Sequence, residues 1–392
     1  MPLPAAPTIP EAEFAARRDR LRAAMAREGI SLFVAYSDDR AAFGQQHSRW
    51  LFDYQPHFEP ALTIVPADDE ALIATGPESD QFVLATSRCR NVRVIDLFAH
   101  PDEEYPHTTV SALADALGTP VRGGRVAVAG LDALPHRAWE ALRDATQAEI
   151  VHGDALVMRL RAVKSPAEIA VIRHAYRIAE AGVAAAFSAI APGVSERDVA
   201  AEAEHAMRRL GSEGMGIDTI VAAGAERTRP ILARTTTSPI RTGDHVLLTI
   251  APRYEGYHGA IGRVAAVGET RPEIEAAVAV AIRAQDAAVA ALQPGATGAA
   301  VDRIARDVCR AARLEQHFAY SGVHSVGVVE FEPPILTSWH AEPLEPGMVF
   351  SVDIPMFGAP WGGLRIEDGF LVGPDGAEPL VSLSRELRRI SP

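Results

Sequence analysis

The pattern of apolar and polar positions divides the chain into two parts. In the first part, short apolar runs rich in β-branched and aromatic residues predict strands: SLFVAY, ALTIVP, ALIAT, VRVIDLF and RVAVAG. Amphipathic stretches around these runs predict helices, beginning with residues Glu11 to Glu28. Pro, Asp and Gly punctuate the connections. The first part is therefore predicted to be an α/β domain.

The pattern changes near Gly153 to Arg161, where the alternation of short strands and helices stops. The segment KSPAEIAVIRHAYRIAEAGVAAAFSAI then predicts a long helix, with Ser165 at its N-cap and Pro166 in its first turn. We therefore predict a domain boundary here, with a first domain over residues 1–155 and a second over residues 156–392.

The second part contains a weak internal repeat. Pro192-Gly193 and Pro294-Gly295 each follow a long helical pattern and precede a second one, and β-rich sequence follows each copy. Two halves of this kind predict an α+β domain with an internal pseudo-twofold repeat. A functional site is expected between the halves.

Composition narrows the classes of protein to consider. The 392 residues are 48% hydrophobic and 23% charged, as in globular proteins, and carry a formal net charge of −13 that would repel nucleic acids and anionic membranes. The two cysteines are too few for a disulfide scaffold, and the opening MPLPAAPTIPEAEF lacks the features of a signal peptide. We predict a cytoplasmic protein without nucleic-acid or membrane partners.

Five segments in the second part resemble the signature segments of a known family. In order, they are KSPAEIAVIRHA, GDHVLL followed by GY and R, HSVG, LEPGMVFSVD and GGLRIEDGFLV. They resemble the creatinase, prolidase, aminopeptidase P and methionine aminopeptidase family, and the first part resembles the N-terminal domain of creatinases and prolidases. The resemblance implies a pita-bread catalytic domain after an α/β domain, in a homodimer.

The resemblance also indicates which metal ligands are present. The metallopeptidases of this family bind two divalent ions through Asp, Asp, His, Glu and Glu, in that order. In this chain the two Asp positions fall on Thr249 and Ala260, His324 and Glu367 keep their types, and Asp353 replaces one Glu. Too few oxygen ligands remain for a tight site with two ions. Since creatinase also has an alanine at the second Asp position and works without metal, no cofactor is expected.

The same residues are candidates for catalysis. His258 shares a strand face with Ala260 if the segment is extended, and His324 lies between glycines that allow close backbone approach. Asp353 and Glu367 lie in apolar strands, where a carboxylate needs a partner. Each has a structural alternative: a hydrogen-bonded histidine at the rim of a sheet, or a carboxylate paired with Arg365 or Arg263 inside the sheet. The candidates for substrate binding are Arg263, Arg365, Tyr257, Thr249 and Glu332.

The sequence thus predicts a creatinase-like hydrolase that cleaves a C–N bond, in an amide or amidine, in a small polar molecule. Histidine general acid/base catalysis would replace the two metal ions. One alternative is a metal-dependent Xaa-Pro dipeptidase or aminopeptidase with a single Mn or Zn ion on His258, His324, Asp353 and Glu367. The other is a non-catalytic, ligand-binding member of the family.

Overall fold

The structure is a computed structural model that describes residues 6–40, 42–118 and 124–392. The first five residues of the opening segment lie outside the described residues. Contacts divide the chain between Arg161 and Ala162 into two compact units. The N-terminal unit spans residues 9–161, and the C-terminal unit contains residues 162–392 together with the described residues 6–8. None of the described helices is long and apolar enough to cross a membrane.

The N-terminal unit is a six-stranded sheet with helices, as the pattern of short apolar runs predicts. Its strand order is β4-β3-β2-β1-β5-β6, and β1 is antiparallel to β2 and parallel to β5. The elements are α1 (Glu11–Glu28), β1 (Ile30–Ser37), α2 (Gln46–Phe52), β2 (Ala61–Pro66), β3 (Leu72–Thr75), α3 (Asp80–Thr86), β4 (Val92–Val94), α4 (Leu113–Leu117), β5 (Arg125–Ala129), α5 (His136–Thr146), β6 (Glu149–His152) and α6 (Asp154–Ala162).

The first half of the C-terminal unit begins with the predicted long helix. The Ser165 side chain accepts a hydrogen bond from the Glu168 backbone N–H, and the Glu168 side chain caps Ser165 in return. The elements are α7 (Pro166–Ala189), α8 (Glu196–Arg209), β7 (Gly214–Met215), β8 (Ile220–Ala223), α9 (Ala225–Thr228), β9 (His245–Ile250), β10 (Pro252–Tyr254), β11 (Tyr257–His258) and β12 (Ile261–Val267).

The second half repeats this arrangement. Gly193 and Gly295, the glycines of the two Pro-Gly breaks, have φ of 88° and 82°, a left-handed conformation that glycine adopts without strain. The elements are α10 (Pro272–Ala291), α11 (Gly298–Ala311), β13 (Val323–Ser325), β14 (Glu332–Ile335), β15 (Val349–Ala359), β16 (Gly362–Gly373), β17 (Gly376–Pro379) and β18 (Arg388–Ile390).

The two halves share one sheet with the order β14-β13-β15-β16-β12-β9-β8. The strands of the first half meet those of the second where β12 pairs with β16, with Gly262 opposite Glu367. Apolar residues of α10 and α11 pack with β15 and β16 in one buried cluster, which includes Ala284, Phe350 and Ile366. The predicted repeat is confirmed, and its two halves meet at a glutamate that the sequence singles out.

Candidate functional site

The polar residues of the site lie in a row across neighbouring strands of the sheet. Asp353 of β15 lies opposite Glu367 of β16, Glu367 opposite Gly262 of β12, and Gly262 opposite Thr249 of β9. Directly opposed residues of an antiparallel sheet project from the same face. The sheet therefore brings residues from four strands onto one face, at the centre of the C-terminal unit. His324 of β13 lies opposite Ser351, two residues before Asp353.

Three side chains at this centre form a cluster that can bind a metal ion. One ligand atom each of His324, Glu330 and Glu367 lies within 4.8 Å of the others, and all three side chains are buried. Glu367 Oε1 accepts a hydrogen bond from Ser351 Oγ at 2.7 Å. Glu367 Oε2 is buried and has no hydrogen-bond partner among the described residues. An imidazole and two carboxylates are the donor types that Zn²⁺ and Mn²⁺ bind, so the cluster fits a divalent ion.

The His324 ring is oriented for such a role. Its Nδ1 lies 3.1 Å from the Ser325 carbonyl oxygen, and its Nε2 lies 3.8 Å from Glu367 Oε1. The ring of Phe331 packs against it with a centroid distance of 4.2 Å. Donation from Nδ1 to a carbonyl leaves Nε2 with a lone pair, the usual arrangement for a metal-binding histidine.

Burial and neighbouring charges shift the pKa values of all three side chains of the cluster. Burial disfavours protonation of His324, but Glu367 and Glu330 outweigh this effect and raise the pKa of the imidazole. Burial raises the pKa of Glu330, and the neighbouring His324 only partly opposes it. For Glu367, burial acts in the same direction, but His324, Arg365 and the Ser351 hydroxyl hold the pKa below its ordinary value. A positive charge placed between Glu330 and Glu367 would therefore lower the pKa values of both carboxyl groups.

Asp353 has different partners. Its Oδ2 accepts a hydrogen bond from Tyr320 Oη at 2.5 Å and lies 3.1 Å from Arg365 Nε. Arg365 Nη2 also donates to the Tyr320 hydroxyl, and Nη1 lies 3.5 Å from Thr249 Oγ1. Burial raises the pKa of Asp353 to about 7 despite the nearby guanidinium. Asp353 Oδ1 is buried without a hydrogen-bond partner among the described residues.

Gly262 makes the position of Arg365 possible. A Cβ atom at residue 262 would lie 2.6 Å from Arg365 Cγ and 2.9 Å from Glu367 Cβ, closer than atoms in contact can approach. Because glycine has no side chain, the Arg365 stem crosses β12 and its guanidinium reaches Thr249. A side chain at residue 262 would displace it.

His258 lies beside the cluster but is not one of its three members. Its backbone N–H and its Nδ1 both lie 3.0 Å from the Gly327 carbonyl oxygen. A Cβ atom at Gly216 would lie 2.7 Å from His258 Nε2 and 3.2 Å from Glu330 Cβ, so His258 and Glu330 both border Gly216. His258 therefore supports the turn that carries Glu330.

The other predicted substrate-binding residues make contacts within the fold. Tyr257 Oη donates to Glu168 Oε1 at 2.7 Å, which ties β11 to the first turn of α7. Glu332 forms a buried ion pair with Lys164 at 3.2 Å. Arg263 binds Asp368 Oδ1 at 2.5 Å and also donates to main-chain carbonyl oxygens, including that of Glu367. Thr249 and Arg365 are the members of this group that the structure brings to the centre.

Sequence reasoning missed Glu330, Tyr320 and Ser351 as members of the site. Glu330 and Glu332 would share one face of an extended strand, but the chain bends through residues 327–331 and turns Glu330 towards His324. For Tyr320, the signal in the sequence was its position four residues before His324, in the segment FAYSGVHS of residues 318–325. Ser351 gave none, because a serine in an apolar strand is common.

Comparisons with known proteins agree with this geometry. Residues 170–374 match the model of metallopeptidase family M24. The chain is 32% identical over 287 residues to the probable dipeptidase PepE of Mycobacterium bovis, covering 73% of this chain and 74% of that one. It is 32% identical over 234 residues to the Xaa-Pro dipeptidase of Pyrococcus furiosus, covering 60% of this chain and 67% of that one. The crystal structure of dipeptidase PepE from Mycobacterium ulcerans superposes with a TM-score of 0.81 at 25% identity, over 98% of this chain and 100% of that one.

These findings correct two expectations and confirm the fold. A creatinase-like enzyme without metal is the wrong prediction, because the matching family is one of metallopeptidases and the similar proteins are named as dipeptidases. The expectation that no cofactor binds is wrong for the same reason, and because Glu330 joins His324 and Glu367 in a group that can hold an ion. The α/β domain followed by a pita-bread domain is confirmed. The chain belongs to metallopeptidase family M24.

Proposed function

We propose that the protein is a metal-dependent peptidase that cleaves dipeptides, with Xaa-Pro dipeptides as the first candidates. The observation that carries this proposal is the buried cluster of His324, Glu330 and Glu367, whose donor atoms lie within 4.8 Å of one another. The substrate class is supported by the similar proteins, which are named as Xaa-Pro dipeptidases and a probable dipeptidase.

The residues around the cluster have roles that suit peptide hydrolysis. His324, Glu330 and Glu367 would hold a divalent ion, which would supply Lewis acidity to the scissile carbonyl. Asp353 Oδ1 has no hydrogen-bond partner among the described residues, so it can take a proton from water and return it to the leaving nitrogen. Within the part of the chain that the structure describes, Arg365 Nη1 makes only a 3.5 Å contact with Thr249, so it can donate to the carboxylate of a dipeptide. Tyr320 holds both Asp353 and Arg365 in place.

The experiment is a metal-reconstitution assay. Chelator-treated protein would be incubated with Mn²⁺ or Zn²⁺ and then with Ala-Pro, Ala-Ala and the tripeptide Ala-Pro-Ala, and products would be measured by chromatography. We expect metal-dependent cleavage of a dipeptide, a loss of roughly two orders of magnitude or more in His324→Ala, and little cleavage of the tripeptide. Absence of cleavage of all three peptides under every metal condition would refute the proposal.

We further propose that the protein acts in the cytoplasm as a homodimer. Cys89 and Cys309 are free and buried, which suits a reducing compartment. Light scattering of purified protein at several concentrations tests the assembly, and a monomeric mass throughout would refute the dimer. Fractionation of the source cells tests the location.

A further inference from the structure

The ionisable side chains at the centre of the C-terminal unit match the charge of one divalent ion. Three buried carboxylates, on Glu330, Asp353 and Glu367, face one buried guanidinium, on Arg365. Two adjacent acidic residues are already paired within the fold: Asp368 with Arg263 and Glu332 with Lys164. When His324 is neutral and all three carboxylates are ionised, as they would be around a bound ion, these side chains carry an excess of two negative charges, which one divalent ion neutralises.

A second divalent ion would make the net charge of the centre positive. It would leave the buried centre with an excess of two positive charges, and uncompensated charge inside a protein is costly. Tight binding of two divalent ions requires several carboxylates to share them. Residues 249 and 260, where carboxylates would be needed, are threonine and alanine.

Arg365 already occupies the side of the centre where a second cation would bind. Its guanidinium lies between Asp353, 3.1 Å from Nε, and Thr249, 3.5 Å from Nη1. Asp353 directs Oδ2 towards Arg365 and Tyr320, whereas Glu330 belongs to the cluster with His324 and Glu367. The carboxylate next to the guanidinium and the carboxylate in the cluster are therefore different residues.

We infer that each chain binds one divalent ion, through His324, Glu330 and Glu367, and that the Arg365 guanidinium serves as the fixed second cation of the centre, with Asp353 as its partner. Asp353 is then not a metal ligand, although the family resemblance places a ligand at this position. Glu330 is a ligand, although the resemblance assigns none to it. This inference rests on the metal-dependent function proposed above and adds the number of ions and the identity of their ligands.

The test compares two carboxylate-to-amide variants. Metal-free protein would be titrated with Mn²⁺, with free Mn²⁺ followed by electron paramagnetic resonance and bound metal counted by mass spectrometry after gel filtration. The wild type is expected to bind one ion per chain. Glu330→Gln should weaken binding about 100-fold or more, whereas Asp353→Asn should keep one ion with an affinity within about tenfold of the wild type. Glu345→Gln, in an exposed position, is the matched control.

Each outcome decides a separate point. Two tightly bound ions per wild-type chain would overturn the inference without the need for any variant. A loss of affinity in Asp353→Asn as large as that in Glu330→Gln would also overturn it. Either result leaves the proposed peptidase function intact, because that function is tested by peptide cleavage. Binding of one ion with the expected response of both variants supports the inference even if none of the tested peptides is cleaved.

Discussion

His245 of β9 is a buried histidine that the fold holds in its neutral form. Its Nε2 lies 2.9 Å from Thr228 Oγ1 and 3.2 Å from the Gly363 carbonyl oxygen. Burial lowers its pKa to about 4, the Gly363 carbonyl opposes this shift and Arg271 adds to it. The unfolded chain therefore binds a proton at a higher pH than the folded protein does. Stability from this group is complete above about pH 6.5 and is lost as the pH falls towards 4.

The prediction is tested by comparing metal-free wild type with His245→Gln, which cannot titrate. The free energy of unfolding of the wild type, relative to the variant, should fall by roughly 2.5 kcal/mol between about pH 7.5 and about pH 4.5. Urea unfolding followed by circular dichroism at four pH values measures it. A difference between the two proteins that stays constant across this range would contradict the assigned environment of His245.

At the same scale, the sequence identified some residues of the centre and missed others for physical reasons. The family resemblance names His324 and Glu367, the neighbouring glycines and apolar strands support it, and the structure places both residues in the cluster. Glu330 depends on a bend through residues 327–331 that has no periodic pattern in the sequence. The sequence offers Arg365 and Arg263 as partners for the strand carboxylates, but which carboxylate each arginine contacts depends on the register of β15 and β16, which residue patterns alone do not specify.

At the scale of elements, the turn between β13 and β14 is held by a buried lysine. Lys164 Nζ donates to Ser325 Oγ at 2.6 Å and to Glu332 Oε1 at 3.2 Å, so it connects the two ends of the segment that carries Glu330. Its side chain is only 1% exposed. Lys164→Met would leave the Glu332 carboxylate buried with a weakened set of partners. We expect a loss of about 3 to 5 kcal/mol in the free energy of unfolding.

A double-mutant cycle separates the charge from the packing of Lys164. Lys164→Met combined with Glu332→Gln should recover a large part of the stability lost in Lys164→Met alone, because no uncompensated charge remains. Urea unfolding of the wild type, the two single variants and the double variant gives the coupling energy. Additive losses would show that the ion pair does not hold the turn.

The sequence pattern predicts the bounds of some helices and strands better than those of others. α1 has the bounds that its amphipathic pattern predicts, and α7 begins at the predicted capping residue. VRVIDLF is shorter as a strand than predicted, because β4 ends at Val94 and residues Asp96–Phe98 form a 3₁₀ turn. Hydrophobic periodicity indicates which residues face the core but not which strands pair. The order of β12 and β16, on which the centre depends, therefore required the structure.

At the scale of the whole molecule, the two-part organisation follows from the change of pattern along the sequence, and contacts divide the chain at Arg161 and Ala162. The sequence prediction of a protein without metal failed because it counted ligands by position in the family. Such a count misses Glu330, a carboxylate that a turn brings into the cluster from outside the family's ligand positions. It also counts Asp353 as available, although Asp353 forms an ion pair with Arg365. The charge of a buried centre is a property of the folded chain.

Ion binding should therefore stabilise the protein as a whole. A ligand that binds only the folded state adds about 2.7 kcal/mol at a free concentration 100 times its Kd, so Mn²⁺ at that concentration should raise Tm by roughly 3 to 6 °C. All three ligands lie in the C-terminal unit, so hydrogen exchange should slow mainly around β13, β15 and β16. At the same Mn²⁺ concentration, Glu330→Gln should show at most a small fraction of either effect, whereas Asp353→Asn should show both. Equal stabilisation of the wild type and Glu330→Gln would mean that Mn²⁺ binds elsewhere, and the cluster would then lose its assignment as the metal centre.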